Sequence, residues 1–331
     1  MIELYRQILS RLEVGKASRL VSHYHAGKIE RRLMEEGVQP PESGGLVFER
    51  IGDTLTLSER FAPKARLVIL GGGHIAIPLC AFAARLGFDV WLYDDRPSFA
   101  SPDRFPDAHT VICDDFAHMR ERLNLRRSDY IAVLTRGHKH DTFCLKTLLT
   151  GDMPHYVGMI GSKRRIAIVK EEVAAKIGRG DLLDKLYAPI GLPIGSVTPE
   201  EIALSIMAEI IKLKRLGADG KRAKQPQEGS MDPALLAWLT NIAEERAALI
   251  TIVSTSGSTP REVGAKMAVT LSGKVIGSIG GGCAEAGVIT LARDIIDKSG
   301  YHLLEIDLAD SAEENGMVCG GRMQVLIEAL S

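Results

Sequence analysis

Arg66-Leu67-Val68-Ile69-Leu70-Gly71-Gly72-Gly73-His74-Ile75-Ala76 is the stretch on which the fold turns. Leu67–Leu70 is an apolar run too brief for a helix, and the glycine triplet ends it. Helical spacing resumes from Ile75 to Leu86. A second apolar run, Val90–Tyr93, ends at Asp94-Asp95-Arg96. Strand, glycine turn, helix and strand make a βαβ unit, and residues 71–76 satisfy GxGxxA. Glycines let the backbone approach a phosphate, and the helix start offers free N–H groups and the positive end of its dipole. Asp94 follows Gly73 by about twenty residues, the place of a ribose-binding acid in dinucleotide folds. Gly71, Gly72, Gly73, His74, Ile75, Asp94, Asp95 and Arg96 are therefore the first candidate cofactor-binding residues. His74 is bulky where dehydrogenases carry a small residue, so it is either a satisfied turn histidine or a ligand.

The same rhythm continues outward. Strands are expected at Thr110–Cys113, Tyr130–Leu134 and Tyr156–Ile160, with helices between them. That alternation predicts a parallel sheet covered on both faces. Ile166, Val169, Val173 and Ile177 stripe one further helix, and Thr198-Pro199-Glu200-Glu201 opens another with a capping box. Residues 61–217 thus read as a Rossmann-like domain. Gly217–Met231 is basic, polar and without apolar periodicity, so 218–231 reads as a linker. Limited proteolysis is expected to cut there first; first cleavage inside 67–160 would show the boundaries to be misplaced. Residues 232–331 read as a smaller α+β domain. It has a helix after Asp232-Pro233, a strand over 248–254, a hairpin about Ser272-Gly273, a helix from Cys283 to Ile296, and strands at 303–306 and 323–327. Residues 1–60 read as an N-terminal cap, with helices over 2–12 and between Gly27 and Gly37 and a hairpin over 46–57. The fold class is α/β, a Rossmann-like parallel-sheet domain plus the smaller α+β domain.

Composition narrows the function. The 331 residues carry 41 Lys and Arg against 42 Asp and Glu, so no global field draws the chain to nucleic acid or a membrane surface. The uncharged run from Leu67 to Ala84 contains the glycine turn and Pro78, and reads as strand, turn and helix, not as a membrane span. Met1–Arg6 lacks the apolar run of a signal peptide, and the five cysteines form no CxxC pair. Free thiols in a cytoplasmic protein are the expectation.

Two further clusters carry chemistry. Gly161-Ser162-Lys163-Arg164-Arg165 sets three cations at a helix start, where they oppose the dipole. An anion would relieve that, so Gly161, Ser162, Lys163 and Arg165 join the candidates, a solvated charged face being the alternative. Replacing Lys163 and Arg165 together is expected to weaken phosphate binding and spare the fold. The last hundred residues hold three glycine-rich loops, 256–261, 280–285 and 316–321. Cys283 and Cys319 lie in them, where backbone donors lower a thiol's pKa. They are candidate catalytic residues, with small buried cysteines as the alternative. Gly281, Gly282 and Glu285 are candidate cofactor contacts, and Glu285 could equally serve only the helix dipole. Cys80, Cys113 and Cys144 are expected in the core. His138-Lys139-His140-Asp141 has poor metal-ligand spacing, and the metal ligands stay unknown.

Taken together, ARLVILGGGHIA, YDDR, HYVGMIGSKRR and APIGLPIGSVTPEEIALSIMAEII, followed by STSGSTPREVGAKM, GSIGGGCAEAG and NGMVCGGR, resemble the xanthine dehydrogenase accessory-factor (XdhC/CoxI-like) family over about residues 46–330. In many members the glycine–cysteine domain comes first; here the order is reversed. The resemblance implies a maturation protein, not a self-sufficient enzyme. It would bind the molybdenum cofactor (molybdopterin), assist its sulfuration, and deliver it to a molybdenum hydroxylase apoenzyme of xanthine dehydrogenase type. A cysteine desulfurase would be the second partner, and a homodimer is compatible. Two rivals stand beside it: an NAD(P)-dependent oxidoreductase and a non-catalytic nucleotide-sensing module. No plausible catalytic Tyr-x-x-x-Lys or His–acid pair accompanies the glycine turn and Asp94 to support the first.

Overall fold

The computed structural model describes residues 1–36, 45–151, 153–178, 180–216, 231–242, 245–280, 283–298, 300–307 and 321–330, with backbone alone at 283, 284 and 286. The elements run α1 (Ile2–Glu13), β1 (Ala17–His25), β2 (Lys28–Glu36), β3 (Leu46–Ile51), β4 (Thr54–Phe61), β5 (Arg66–Leu70), α2 (Ala76–Arg85), β6 (Asp89–Asp94), β7 (Thr110–Cys113), α3 (Met119–Leu123), β8 (Tyr130–Val133), α4 (His138–Leu149), β9 (Tyr156–Met159), α5 (Lys163–Ile177), α6 (Pro199–Arg215), α7 (Pro233–Asn241), β10 (Ala247–Ser256), β11 (Lys266–Thr270), β12 (Val275–Gly277), α8 (Cys283–Lys298), β13 (Tyr301–Asp307) and β14 (Arg322–Leu330). They form two compact units, one of 64–223 and one that joins 1–63 to 224–331.

In the first of these, β5–β9 make a parallel five-stranded sheet in the order β7-β6-β5-β8-β9. Every residue of β5 is buried because both faces are covered. Val68 and Leu70 pack with Leu145 of α4 and Val169 of α5, whereas Leu67 and Ile69 pack with Leu79 of α2 and Ile206 of α6. The strand order reverses between β5 and β8, so the ligand crevice of such sheets falls there, at the carboxyl ends. The capping box of α6 is formed as expected, Thr198 accepting from the Glu201 N–H and Glu201 from the Thr198 N–H.

In the other unit, β10–β14 form an antiparallel sheet in the order β12-β11-β10-β14-β13. Alternate residues face opposite ways. Ala248, Ile250 and Ile252 of β10 pack with Val288 and Ala292 of α8, and Leu249 packs with Tyr5 and Ile8 of α1 and Leu235 and Leu239 of α7. Both faces of the strand are thus covered.

The first sixty residues do not stand as a cap of their own. They share that core, and buried charges fasten them to it. Lys266 Nζ lies 2.6 Å from Glu59 Oε1 and donates to Thr251, and Tyr24 and Arg31 both donate to Glu328. Partners some 300 residues apart leave no mark in local periodicity. The helix expected between Gly27 and Gly37 is instead β2. Ala26 and Gly27 both take positive φ, the geometry of a tight hairpin turn, and β2 pairs with β1 over its whole length. Its charged sequence suits an outer strand, where charges block further pairing.

Candidate functional site

The glycine turn sits where β5 meets β8. Gly71 takes φ +111°, and a Cβ there would lie 2.5 Å from the Leu134 carbonyl oxygen at the end of β8. A Cβ on Gly72 would collide with the carbonyl of Phe99. Only glycine lets these three segments close up. Gly73 is different: a Cβ would meet nothing within 4 Å. The Gly71 N–H donates to the Tyr93 carbonyl and the Gly72 N–H to Asp94, while the amides of Gly73, His74 and Ile75 have no partner among the described residues. Helix α2 carries no side-chain cap and no acid in its first turn. Three amides without a partner among the described residues thus stand at its start. His74 is exposed and Ile75 half-buried.

Asp94 is 1% exposed, and all its acceptor positions are filled. Oδ1 accepts from the Arg96 N–H at 3.0 Å and Arg96 Nε at 2.9 Å; Oδ2 accepts from the Gly72 N–H at 2.8 Å and Arg96 Nη2 at 2.9 Å. Burial pushes this carboxyl up, but the Arg96 guanidinium and the two backbone donors hold it below the usual carboxylate range. It pins the glycine turn to Arg96 and has no lone pair left for a ribose. Asp95 is engaged too, by both terminal nitrogens of Arg136 at 2.6 and 2.8 Å. The Arg96 and Arg104 guanidinium carbons stand 3.6 and 5.1 Å from the centre of the Phe99 ring, and Arg104 Nε and Nη2 are buried without a hydrogen-bond partner.

The second cation cluster divides. Ser162 caps α5 by accepting from the Arg165 N–H, and Gly161 is half-buried beside the Arg165 side chain. Lys163 and Arg164 are exposed. Arg165 instead turns inward. Its Nε donates to Asp141 Oδ2 at 2.8 Å and its Nη2 to the Thr135 carbonyl at 3.0 Å, while the Thr135 hydroxyl donates to Asp141 Oδ1 at 2.6 Å. Burial pushes the Asp141 carboxyl above its ordinary range despite these donors. Arg165 therefore has a structural occupation, and the sequence-based expectation that the fold tolerates its loss is corrected. Arg165→Ala strands a fully buried carboxylate and should cost about 3 kcal/mol in urea unfolding, whereas Lys163→Ala should cost less than about 0.5 kcal/mol. Lys163 alone is the clean probe of anion binding here.

At the other sheet, Gly280 and Gly321 both approach the segment at 258–260. A Cβ on Gly280 would strike Pro260, and one on Gly321 would strike the Ser258 carbonyl, so residues 258–260 lie against both. Glu285 in the first turn of α8 accepts from Ser278 Oγ at 2.8 Å, the Ile279 N–H at 3.0 Å and the Gly280 N–H at 3.2 Å. It ties down the loop before the helix. Cys283 is the first residue of α8. Its side chain lies outside what the structure describes, as do Gly281, Gly282, Cys319 and the linker 217–230.

Cys80 and Cys144 are buried as expected; Cys113 is exposed at the end of the outer strand β7, because a strand with one neighbour leaves its last residue uncovered. Among the described residues no three His, Cys, Asp or Glu gather to hold a metal, and no helix is long and apolar enough to cross a membrane. The sequence reading missed Thr135 and Arg136, and weighed Asp141 only within the His138–Asp141 run, not as the partner of Arg165. For the first two the signal was position alone, just past the end of β8 at the reversal of strand order.

Comparison with known proteins follows the same division. Residues 67–210 match the model of the XdhC Rossmann domain and 242–307 that of the XdhC and CoxI family, together more than half of the chain. A Bacillus subtilis protein named as a probable xanthine dehydrogenase subunit is 33% identical over 157 residues, 47% of this chain and 45% of its own length. The uncharacterised protein YqeB of Escherichia coli is 29% identical over 162 residues, 49% of this chain and 29% of its own. A solved structure, called a xanthine dehydrogenase from Bacillus halodurans, superposes with a TM-score of 0.52 at 28% identity, covering 63% of each chain. The chain thus spans less than two thirds of each of these relatives. With both domain models matched in succession, the chain belongs to the XdhC and CoxI family, its Rossmann domain preceding the XdhC/CoxI domain.

Proposed function

We propose that this chain is a cytoplasmic accessory factor for a molybdenum hydroxylase of xanthine dehydrogenase type. It binds the molybdenum cofactor, assists its sulfuration and passes it to the apoenzyme, with a cysteine desulfurase as the second partner. The observation that carries this reading is the presence of both XdhC-type domains in one chain, each with glycine-bearing turns at the end of its sheet.

The residues suit a phosphorylated pterin at its phosphate end. The amides of Gly73, His74 and Ile75 have no partner among the described residues at an uncapped helix start, and a Cβ on Gly73 would meet nothing within 4 Å. The XdhC/CoxI domain carries Cys283 and Cys319, and thiolates are the matching soft ligands for a metal–sulfur centre. When bound, the cofactor supplies a metal centre that takes up sulfur. Within the parallel-sheet unit Asp94 fixes the glycine turn that would hold the phosphate; within the other unit Glu285 fixes the Ser278–Gly280 backbone ahead of α8. An NAD-dependent oxidoreductase fits less well, since the acid that would read the ribose is already saturated.

Reconstitution decides the matter. Apo-hydroxylase supplied with molybdenum-loaded cofactor, cysteine as sulfur donor and cysteine desulfurase should gain activity faster with this chain present. Equal activation with and without it would sink the proposal.

A further inference from the structure

The carboxyl end of β6 is where a dinucleotide fold chooses its ligand. A free carboxylate there accepts from the ribose 2′-OH, and a guanidinium there accommodates a 2′-phosphate. Both groups are present in this chain, and the geometry says which one faces outward. The four acceptor positions of Asp94 are filled from Gly72 and Arg96. Arg96 spends Nε and Nη2 on that carboxylate, while its Nη1 takes no partner among the described residues, and the side chain is 29% exposed.

The neighbouring charges lean the same way. Asp95 is held by both terminal nitrogens of Arg136. Arg104 shares the Phe99 ring with Arg96 and has no carboxylate partner among the described residues, with Nε and Nη2 buried and unbonded. Arg96 and Arg136 are thus paired with Asp94 and Asp95, whereas Arg104 has no such partner among the described residues and stands beside the unpartnered Nη1 of a partly exposed Arg96. A neutral ribose diol finds no acceptor here; a dianion finds a charged donor in a fixed orientation.

We infer that the crevice at the end of β6 selects a ligand bearing a phosphate monoester there and rejects one offering an unphosphorylated ribose diol. Arg96 is the residue that reads it, and Asp94 is a positioning residue that orients Arg96. The inference goes beyond the accessory role proposed above and can fail separately from it.

NADPH and NADH differ only by this phosphate monoester, so the full chain titrated with each by nucleotide fluorescence provides the test. NADPH should bind at least about tenfold more tightly, the scale of one charge-assisted hydrogen bond. Equal affinity, tighter NADH, or binding of neither would overturn the inference. Arg96→Gln removes both side-chain bonds to Asp94, freeing acceptor sites for a diol, and should bring the preference to about one or invert it. Arg96→Lys keeps the charge but loses the fork, and should also lower the ratio if the glutamine variant fails to fold. An unchanged ratio in the folded variants would overturn the role given to Arg96.

A 2′-phosphorylated nucleotide and a phosphorylated pterin both offer this group. Displacement of bound NADPH by isolated molybdopterin would show that the pterin uses the same crevice; without displacement the nucleotide is the source. Both results support phosphate selection. Hydroxylase activation that is absent while NADPH is preferred sinks only the accessory role. Normal activation with NADH preferred sinks only this inference.

Discussion

Asp129→Ala is expected to destabilise the parallel-sheet unit by about 3–5 kcal/mol, the cost of stranding one member of a buried ion pair. Asp129 is 0% exposed and the Arg66 side chain 2%. Two charge-assisted bonds join them, from Arg66 Nε at 2.9 Å and Nη2 at 2.5 Å. Arg66 also donates to the Leu123 and Asn124 carbonyls, and its guanidinium lies over Trp91 at 4.7 Å. Asp129 in turn accepts the Arg126 N–H at 2.7 Å. Removing the carboxylate leaves a guanidinium that cannot reach water and a loop amide without its acceptor. Urea unfolding followed through Trp91 in a Trp238→Phe background isolates this unit's transition. A second change, Arg66→Met, should recover part of the loss, because it removes the stranded charge. A loss below about 1 kcal/mol would place the pair among solvated surface bridges and refute its burial.

On the accessory reading proposed above, Cys283→Ser combined with Cys319→Ser should cut cofactor retention and hydroxylase activation by about tenfold or more. Thermal stability should change little. In the native protein these two thiols should react fastest with an alkylating reagent. Cys113 should react as well, since it is exposed. Burial, helped by Asp107, pushes the Cys80 thiol up to about 12, and burial with Asp141 pushes Cys144 up as well. Both should label only after unfolding. Wild-type activation by the double variant would remove the cysteines from the mechanism, whatever their reactivity.

The parallel sheet was legible because its signal is local. A strand buried on both faces reads as a continuous apolar run, and a glycine turn before a helix punctuates it; Leu67–Ala76 carries both. The helix starts at Thr198 and Asp232 announced themselves by side chains that cap within three residues. The site was legible only as a location. The glycines, Asp94 and Arg96 were nominated together, yet which of the last two faces a ligand depends on four hydrogen bonds that no spacing reveals. Arg165 misled for the same reason: its partner Asp141 sits 24 positions earlier on another helix. The sheet of β1–β4 was half-read. The hairpin at Gly52-Asp53 declared itself, but Lys28–Glu36 has the charge density of a helix surface and becomes a strand through pairing with β1.

The division of the chain into 64–223, and 1–63 with 224–331, also bears on its synthesis. A ribosome releases the first two hairpins long before their partners exist. Glu59 and Arg31 are made while Lys266 and Glu328 are still hundreds of codons away, so the amino-terminal strands leave the exit tunnel with an apolar face and unmatched charges. The parallel-sheet unit is contiguous and completes itself in the meantime. The last strand to appear, β14, lies beside β10 in the middle of its sheet and brings Glu328 to Arg31 and Tyr24. Closure of that half therefore waits for β14, long after the parallel-sheet unit is made. A message truncated between codons 223 and 322 yields a finished Rossmann unit joined to strands that lack β14.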